Sequence, residues 1–207
     1  MKRLLLLIPV IIIVGCGLFG GKDYMPLTVN NQWVYNMLET VTVSSVMDTA
    51  ATAVTTNTIT SKTTIGGDDA YIMTTKDSMH MYSPYDTIIV STGSAYIRDT
   101  KDAILSYGSD TTSAPDTFLL KDLKLDKTWT QISGTDTSVS TVVLQEDVTV
   151  PAATYSNCWK VKVVHNSGTP YYYWFADGTG MVKYSYIYTY YTATVAISQE
   201  LQSATIK

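Results

Sequence analysis

Residues 171–190 read Tyr-Tyr-Tyr-Trp-Phe-Ala-Asp-Gly-Thr-Gly-Met-Val-Lys-Tyr-Ser-Tyr-Ile-Tyr-Thr-Tyr, and they decide the fold. Aromatic residues fill both flanks, and Asp177-Gly178-Thr179-Gly180 supplies the turn between them. Aromatic-rich runs around a Gly-rich turn predict a β-hairpin. Side chains alternate across a strand, so Tyr171, Tyr173 and Phe175 share one face while Tyr172 and Trp174 share the other. On the return strand Tyr184, Tyr186, Tyr188 and Tyr190 fall on one face. A hairpin centred on Gly178-Thr179 sets Tyr173 opposite Tyr184 and Tyr171 opposite Tyr186.

The same period-2 alternation extends to both sides, with no convincing helical stripe. Trp33, Tyr35, Met37, Val41 and Val43 line one face of a strand near 32–44. Residues 45–56 read as a strand end and loop, before a Thr-rich strand over about 54–65. Gly66-Gly67-Asp68-Asp69 is a turn. Strands are predicted near 70–76, 87–92, 95–100 and 103–107, broken by Pro84, Gly93-Ser94 and Lys101-Asp102. Residues 108–116 read as loop, and strands resume near 128–133, 137–150, 158–165, 171–176, 181–191 and 193–206. The predicted fold class is all-β: an antiparallel meander forming a strongly curved open sheet, or half-barrel, with a two-sheet sandwich as the alternative.

The chain repeats one local pattern. Leu27-Thr-Val-Asn-Asn-Gln-Trp33 and Leu123-Lys-Leu-Asp-Lys-Thr-Trp129 both read Leu-x-aliphatic-Asn/Asp-x-x-Trp. Asn and Asp tolerate the turn conformation that precedes a strand, and the Trp then starts that strand with a large ring. The pattern predicts two similar halves, about 25–115 and 116–207, within a single β domain over 25–207.

The first residues carry a different signal. Lys2 and Arg3 precede Leu4–Val14, 11 residues without a charge. That run is too short to span a hydrocarbon core of about 30 Å and has the length of a signal-peptide apolar region. It ends in Ile13-Val14-Gly15-Cys16, which resembles the lipobox of bacterial lipoproteins. The resemblance implies a signal peptide over 1–15, cleavage after Gly15, a diacylglyceryl group on the Cys16 sulfur and fatty acyl chains, palmitate among them. Each buried methylene contributes about 0.8 kcal/mol, so two or three chains hold firmly where one does not. Residues 16–24 then form a lipidated tether. Gly17, where an Asp favours inner-membrane retention, points to the outer membrane and an envelope location.

Further segments are similar to a family of uncharacterised bacterial lipoproteins. Residues 24–35 resemble its Tyr-x-Pro-Leu-x-Val-Gly-Asn-x-Trp-x-Tyr opening, with Asn30 where Gly is usual. Residues 148–161 resemble its Val-x-Val-Pro-Ala-Gly-Thr-Phe strand–turn–strand, with Ala153 in place of Gly. Residues 177–183 resemble its Gly-x-Gly-Leu-Val-Lys hairpin. The likeness implies an open curved sheet distantly like periplasmic lipoprotein carriers, and no catalytic residues.

Composition and chemistry narrow the function classes. Removal of Lys2 and Arg3 leaves 12 basic against 18 acidic residues, a formal charge of −6. Without a basic patch, nucleic acid is not an expected partner. His80 and His165 lack a metal-ligand spacing, so no metal and no cofactor is expected. Asp68 with Asp69, and Asp99 with Asp102, read as turn formers. Cys158 has no disulfide partner once Cys16 is lipidated, and it reads as a buried thiol. His165 lies seven residues further along the same strand, roughly 23 Å away, so the two form no obvious dyad. No nucleophile elbow or phosphate loop is present, and an enzyme is not expected.

The aromatic face remains. Cross-strand ring pairs stabilise a sheet by about 0.2–1 kcal/mol each, which explains it as packing. Tyrosine also keeps a polar tip that a dry core does not need. Tyr171, Tyr173, Phe175, Tyr184, Tyr186 and Tyr188 are therefore the candidate surface for a lipid, glycan or protein ligand. The expected role is a lipid-anchored, non-catalytic binding module, with a structural envelope protein as the alternative.

Overall fold

Ser44 and Ser45 turn the chain with φ of 48° and 68°. They join β1 (Gln32–Val43) to β2 (Val46–Ile65), with Val43 opposite Val46. The computed structural model describes residues 22–207 except 83–85, 110, 113, 134–135 and 167. The signal segment and Cys16 lie outside the described residues. Gly66 and Gly67, at φ 61° and 92°, make the next two-residue turn, into β3 (Asp68–Met81). Positive φ at both turn positions matches the right-handed twist of the flanking strands.

The chain continues as β4 (Thr87–Asp99), β5 (Ala103–Ser106), β6 (Asp116–Leu120), β7 (Thr128–Ser133) and β8 (Asp136–Val150). It ends with β9 (Ala153–His165), β10 (Tyr171–Ala176), β11 (Gly180–Tyr190) and β12 (Ala193–Thr205). All twelve form one sheet, in the order β6-β5-β4-β3-β2-β1-β12-β11-β10-β9-β8-β7, and every ladder is antiparallel. Each ladder joins chain neighbours except β1–β12, which ties the two ends of the meander together.

The sheet curls until its edges meet. β6 and β7 approach without a ladder, and side chains bridge the seam: the Trp129 indole donates to the Thr117 carbonyl at 3.0 Å, and the Gln131 amide donates to the same oxygen. The all-β curved sheet is thus observed as a nearly closed barrel, and the sandwich is excluded because there is no second sheet among the described residues.

Local boundaries differ from the sequence reading in five places, the first being β3, expected near 70–76, which runs on to Met81 in register with β2 and β4. The loop expected within 45–56 is strand, because Ser44-Ser45 already makes the turn. Gly93-Ser94 does not break β4, since both residues stay in register with β3. β9 starts at Ala153 rather than near 158, paired tightly to β8 through Pro151-Ala152. Asp116–Leu120, not read as a strand, is β6; it is only five residues long, and its Leu119 is buried through β5.

The repeated motif has one geometry in both copies. Asn30 and Asp126 hold φ of 72° and 63°. The Asn30 N–H donates to the Ile59 carbonyl (2.7 Å), and the Asp126 N–H to the Val142 carbonyl (2.9 Å). In return, the Ile59 N–H reaches the Asn31 carbonyl and the Val142 N–H reaches the Lys127 carbonyl, both at 2.9 Å. Leu27, Leu123, Trp33 and Trp129 are all buried.

The core fills one end of the barrel with Trp33, Tyr35, Ile59, Tyr71, Ile97, Leu119 and Phe175. Burying each large side chain contributes about 1.5–3 kcal/mol. The segment before β1 caps this end. The Gly178 N–H donates to the Asp23 carbonyl (2.7 Å), the Trp159 indole to the Tyr24 hydroxyl (2.9 Å) and the Trp33 indole to the Thr179 carbonyl (2.6 Å). The chain therefore docks at Asp23, two residues before the expected domain start. Gly180, at φ 102°, lies under Trp33 and Tyr24, in a backbone conformation that a residue with a side chain would adopt only under strain.

Candidate binding surface

The β10–β11 register is the one the turn predicts. Tyr173 is opposite Tyr184 and Tyr171 opposite Tyr186, with a bulge between Trp174 and Phe175. Directly opposed residues share a face, so these pairs extend into rows across the sheet. One row runs Tyr173, Tyr184, Gln199, Met37, Ala53 and Met79; the next runs Tyr171, Tyr186, Ile197, Glu39, Ala51 and Met81. Tyr188 continues the series opposite Val195.

Phe118 shows that this is the inner face. It lies on β6, at the far end of the strand order from β10, yet its ring meets Tyr173 at 6.4 Å and Phe175 at 6.1 Å. Only a contact across the barrel interior brings those strands together. Ala51 and Ala53 are buried while their neighbour Val54 is exposed, which agrees with a concave inner side.

The six candidate residues grade from sealed to open. Phe175 is fully buried in the core, and Tyr173, partly buried, packs against it between Phe118, Tyr171 and Tyr184. Burial, reinforced by the Tyr171 and Tyr184 phenols, pushes the Tyr173 hydroxyl far above its usual titration range. Tyr171 and Tyr184 are half-buried and shifted the same way by burial. Tyr186 and Tyr188 stack at 4.9 Å with 25° between their planes, half-exposed toward the open end. Past Phe175 the closed end retains a cavity of only about 70 Å³, against Trp33, Tyr35, Met73, Phe118 and Met181. Tyr35 donates to the Met181 carbonyl there at 3.0 Å.

The rows place Glu39 and Asp48 inside the open half and Asp77 on the inner row of Tyr35, whereas Lys160, Lys162 and Lys183 fall on the outer rows with Tyr172 and Trp174, where Glu146 and Glu200 face Lys160 and Lys183. Trp174 is clamped there: its indole donates to Glu146 at 2.6 Å, and the Lys160 ammonium sits 4.6 Å from its ring centre.

A second hollow escaped the sequence reading. The β8–β9 turn folds over the outer face, where the Ala152 N–H donates to the Leu201 carbonyl at 3.0 Å. Pro151 overhangs an open groove of about 550 Å³ floored by Leu38, Thr52, Val54, Ser78 and Ile88. The Val-Pro-Ala run marked a turn but carried no signal of where that turn would land.

The other chemical candidates are occupied by structural bonds. Asp68 pairs with Arg98, Asp69 with Lys62 and Asp99 with Lys121. His80 contacts Asp86 at 2.7 Å, and His165 contacts the Ser138 hydroxyl at 2.8 Å. No grouping of His, Cys, Asp and Glu fit for a metal occurs among the described residues. Cys158 is fully buried; burial, then the nearby Asp147 and Glu146 carboxylates, push its thiol up to about 11.

Fold and surface together define a single-sheet, nearly closed β-barrel with a tyrosine-lined open half. Two solved structures are similar to it. One is a protein from Bacteroides fragilis described as exported and of YmcC-like fold, with TM-score 0.56, 11% identity, and coverage of 89% of this chain and 99% of that one. The other is a protein from Parabacteroides distasonis described as a lipoprotein, with TM-score 0.43, 12% identity, and coverage of 90% and 100%. The first likeness gives this chain a YmcC-like fold. No family model and no curated protein matches the sequence.

Proposed function

We propose that the protein is a lipid-anchored cell-envelope binding module that holds an apolar or amphipathic ligand, or a segment of a partner protein, against the open half of its inner face. The anchor is Cys16, and the outer membrane is the favoured site. No reaction is assigned to it. The observation that carries this reading is the gradient along one tyrosine series, from Phe175 sealed in the core to Tyr186 and Tyr188 stacked and half-exposed. Rings that only fill a core have no need of hydroxyls at a wet mouth. The inner carboxylates favour an uncharged or cationic ligand over an anionic one. Export is the description of the first similar structure, and it supports an envelope compartment here.

A structural envelope role draws support from the closed end, where the chain's own side chains leave only about 70 Å³. The two readings separate on purified protein extracted with organic solvent and then titrated with neutral lipid or glycan. Co-extracted ligand, or a change in aromatic emission that is lost in Tyr186→Ala with Tyr188→Ala, is the expected result. Neither extract nor emission change would leave the structural role.

A further inference from the structure

We propose that β4 is a dimerisation edge, and that a second copy of this chain pairs with it antiparallel about a two-fold axis at Ile89. β5 covers only one end of β4: its ladder spans Ile97 to Asp99, and Tyr96 bonds to Tyr107 and Gly108. From Ile88 to Ala95 no described strand pairs with the outer side. Residues 87–94 are exposed without interruption, on both faces of the sheet. Ile88, Ile89 and Val90 are 65%, 48% and 61% exposed.

Natural sheet edges are guarded by Lys, Pro, bulges or short length. This one has none of those guards: residues 87–97 read Thr-Ile-Ile-Val-Ser-Thr-Gly-Ser-Ala-Tyr-Ile, uncharged and without proline, and β4 keeps unbroken register with β3. An unguarded, exposed apolar edge of this kind marks a site of strand pairing with another chain.

The sequence favours a second copy as the cover. A two-fold at Ile89 sets Ile88 opposite Val90 of the second copy and Ile89 opposite its own equivalent, so all three exposed apolar residues meet. Continued one residue beyond β4, to Asp86 at φ 41°, the same register brings that residue beside Thr92 of the second copy. Thr92 is paired to Lys76 on β3, and Lys76 is exposed. Asp86 then lies about 10 Å, two strand spacings, from the Lys76 backbone of the second copy, a gap an extended lysine closes. The carboxylate of Asp86, in contact with His80 of its own chain at 2.7 Å, is still 79% exposed, and Lys76 makes no ion pair among the described residues. Symmetry makes this complementarity twofold, and no like charges oppose across the pair.

The test uses the full-length protein in its membranes. Within one chain the Asp86 carboxylate sits at His80, four residues or roughly 13 Å along β3 from Lys76, beyond a zero-length carbodiimide link even with the lysine extended, so such a link reports two copies. The expected results are a Lys76–Asp86 linked peptide in wild type, its loss in Lys76→Gln, and a disulfide dimer of Ile89→Cys on mild oxidation. Ile132→Cys, on β7 and more exposed than Ile89, should stay monomeric. Absence of both the linked peptide and the Ile89→Cys dimer overturns the proposal. So does Ile89→Cys captured only by a different protein, or a dimer formed by Ser94→Cys and not by Ile89→Cys.

Discussion

Asn30 and Asp126 sit in the same left-handed backbone conformation, at φ 72° and 63°, each at the mouth of a β-strand that opens on a buried tryptophan. Both backbone N–H groups are consumed by a neighbouring strand. The turn is thus part of the sheet, fixed by its hydrogen bonds. A residue with a Cβ pays about 1–2 kcal/mol for that conformation unless its side chain helps. Asn30→Ala and Asp126→Ala should each lower stability by about 1 kcal/mol, while Asn30→Gly should be neutral or slightly stabilising. Urea denaturation of the three variants checks this; an alanine variant as stable as wild type would show that the turns carry no strain.

The tyrosine series should divide sharply under truncation. Tyr173→Ala removes a ring packed against Phe118 and should cost about 3 kcal/mol or more, as large core truncations do. Tyr188→Ala, near the open end, should cost under about 1 kcal/mol. Equal losses in chemical denaturation would mean that the inner face is packed throughout.

Stability should fall at alkaline pH. Burial raises the phenols of Tyr35, Tyr171, Tyr173 and Tyr184, and the Cys158 thiol is pushed up to about 11. A folded-state pKa above the unfolded one means that the folded chain holds its proton more tightly. The contribution is therefore complete below the unfolded values, about 9 for the thiol and about 10 for the phenols, and is lost as pH rises through the folded ones. Melting temperature should be flat from pH 7 to 8.5 and drop steeply above 10. Tyrosinate absorbance should rise in two stages, the second coinciding with unfolding. Cys158 should resist a thiol reagent at pH 8 until the protein is denatured.

The anchor has its own test. Cys16→Ala should leave the protein as soluble chain or uncut precursor in cell fractionation. A normally acylated mature form in that variant would exclude the lipobox.

Legibility in the sequence followed locality. The pairing of Tyr173 with Tyr184 was readable because Asp177-Gly178-Thr179-Gly180 is a turn by backbone chemistry alone, and opposition follows from counting. The Asn30 and Asp126 turns were readable for the same reason. The Ser44-Ser45 turn was not, since serine carries little preference for positive φ. β6 was hidden because five residues give too short an alternation, and its burial comes from β5 and the seam to β7. Which tyrosines are core and which are surface depended on Phe118, a residue on the opposite edge of the sheet. No local pattern encodes that contact, nor the landing of the Pro151 turn on the outer face.

The open inner half is the central claim, and tyrosine nitration read residue by residue tests it most directly. The protein is labelled once in its native membranes and once after purification and solvent extraction. Tyr186 and Tyr188 should be protected in the membrane sample and reactive after extraction, with Tyr173 unreactive in both. Equal labelling of Tyr186 and Tyr188 in the two samples would contradict the account.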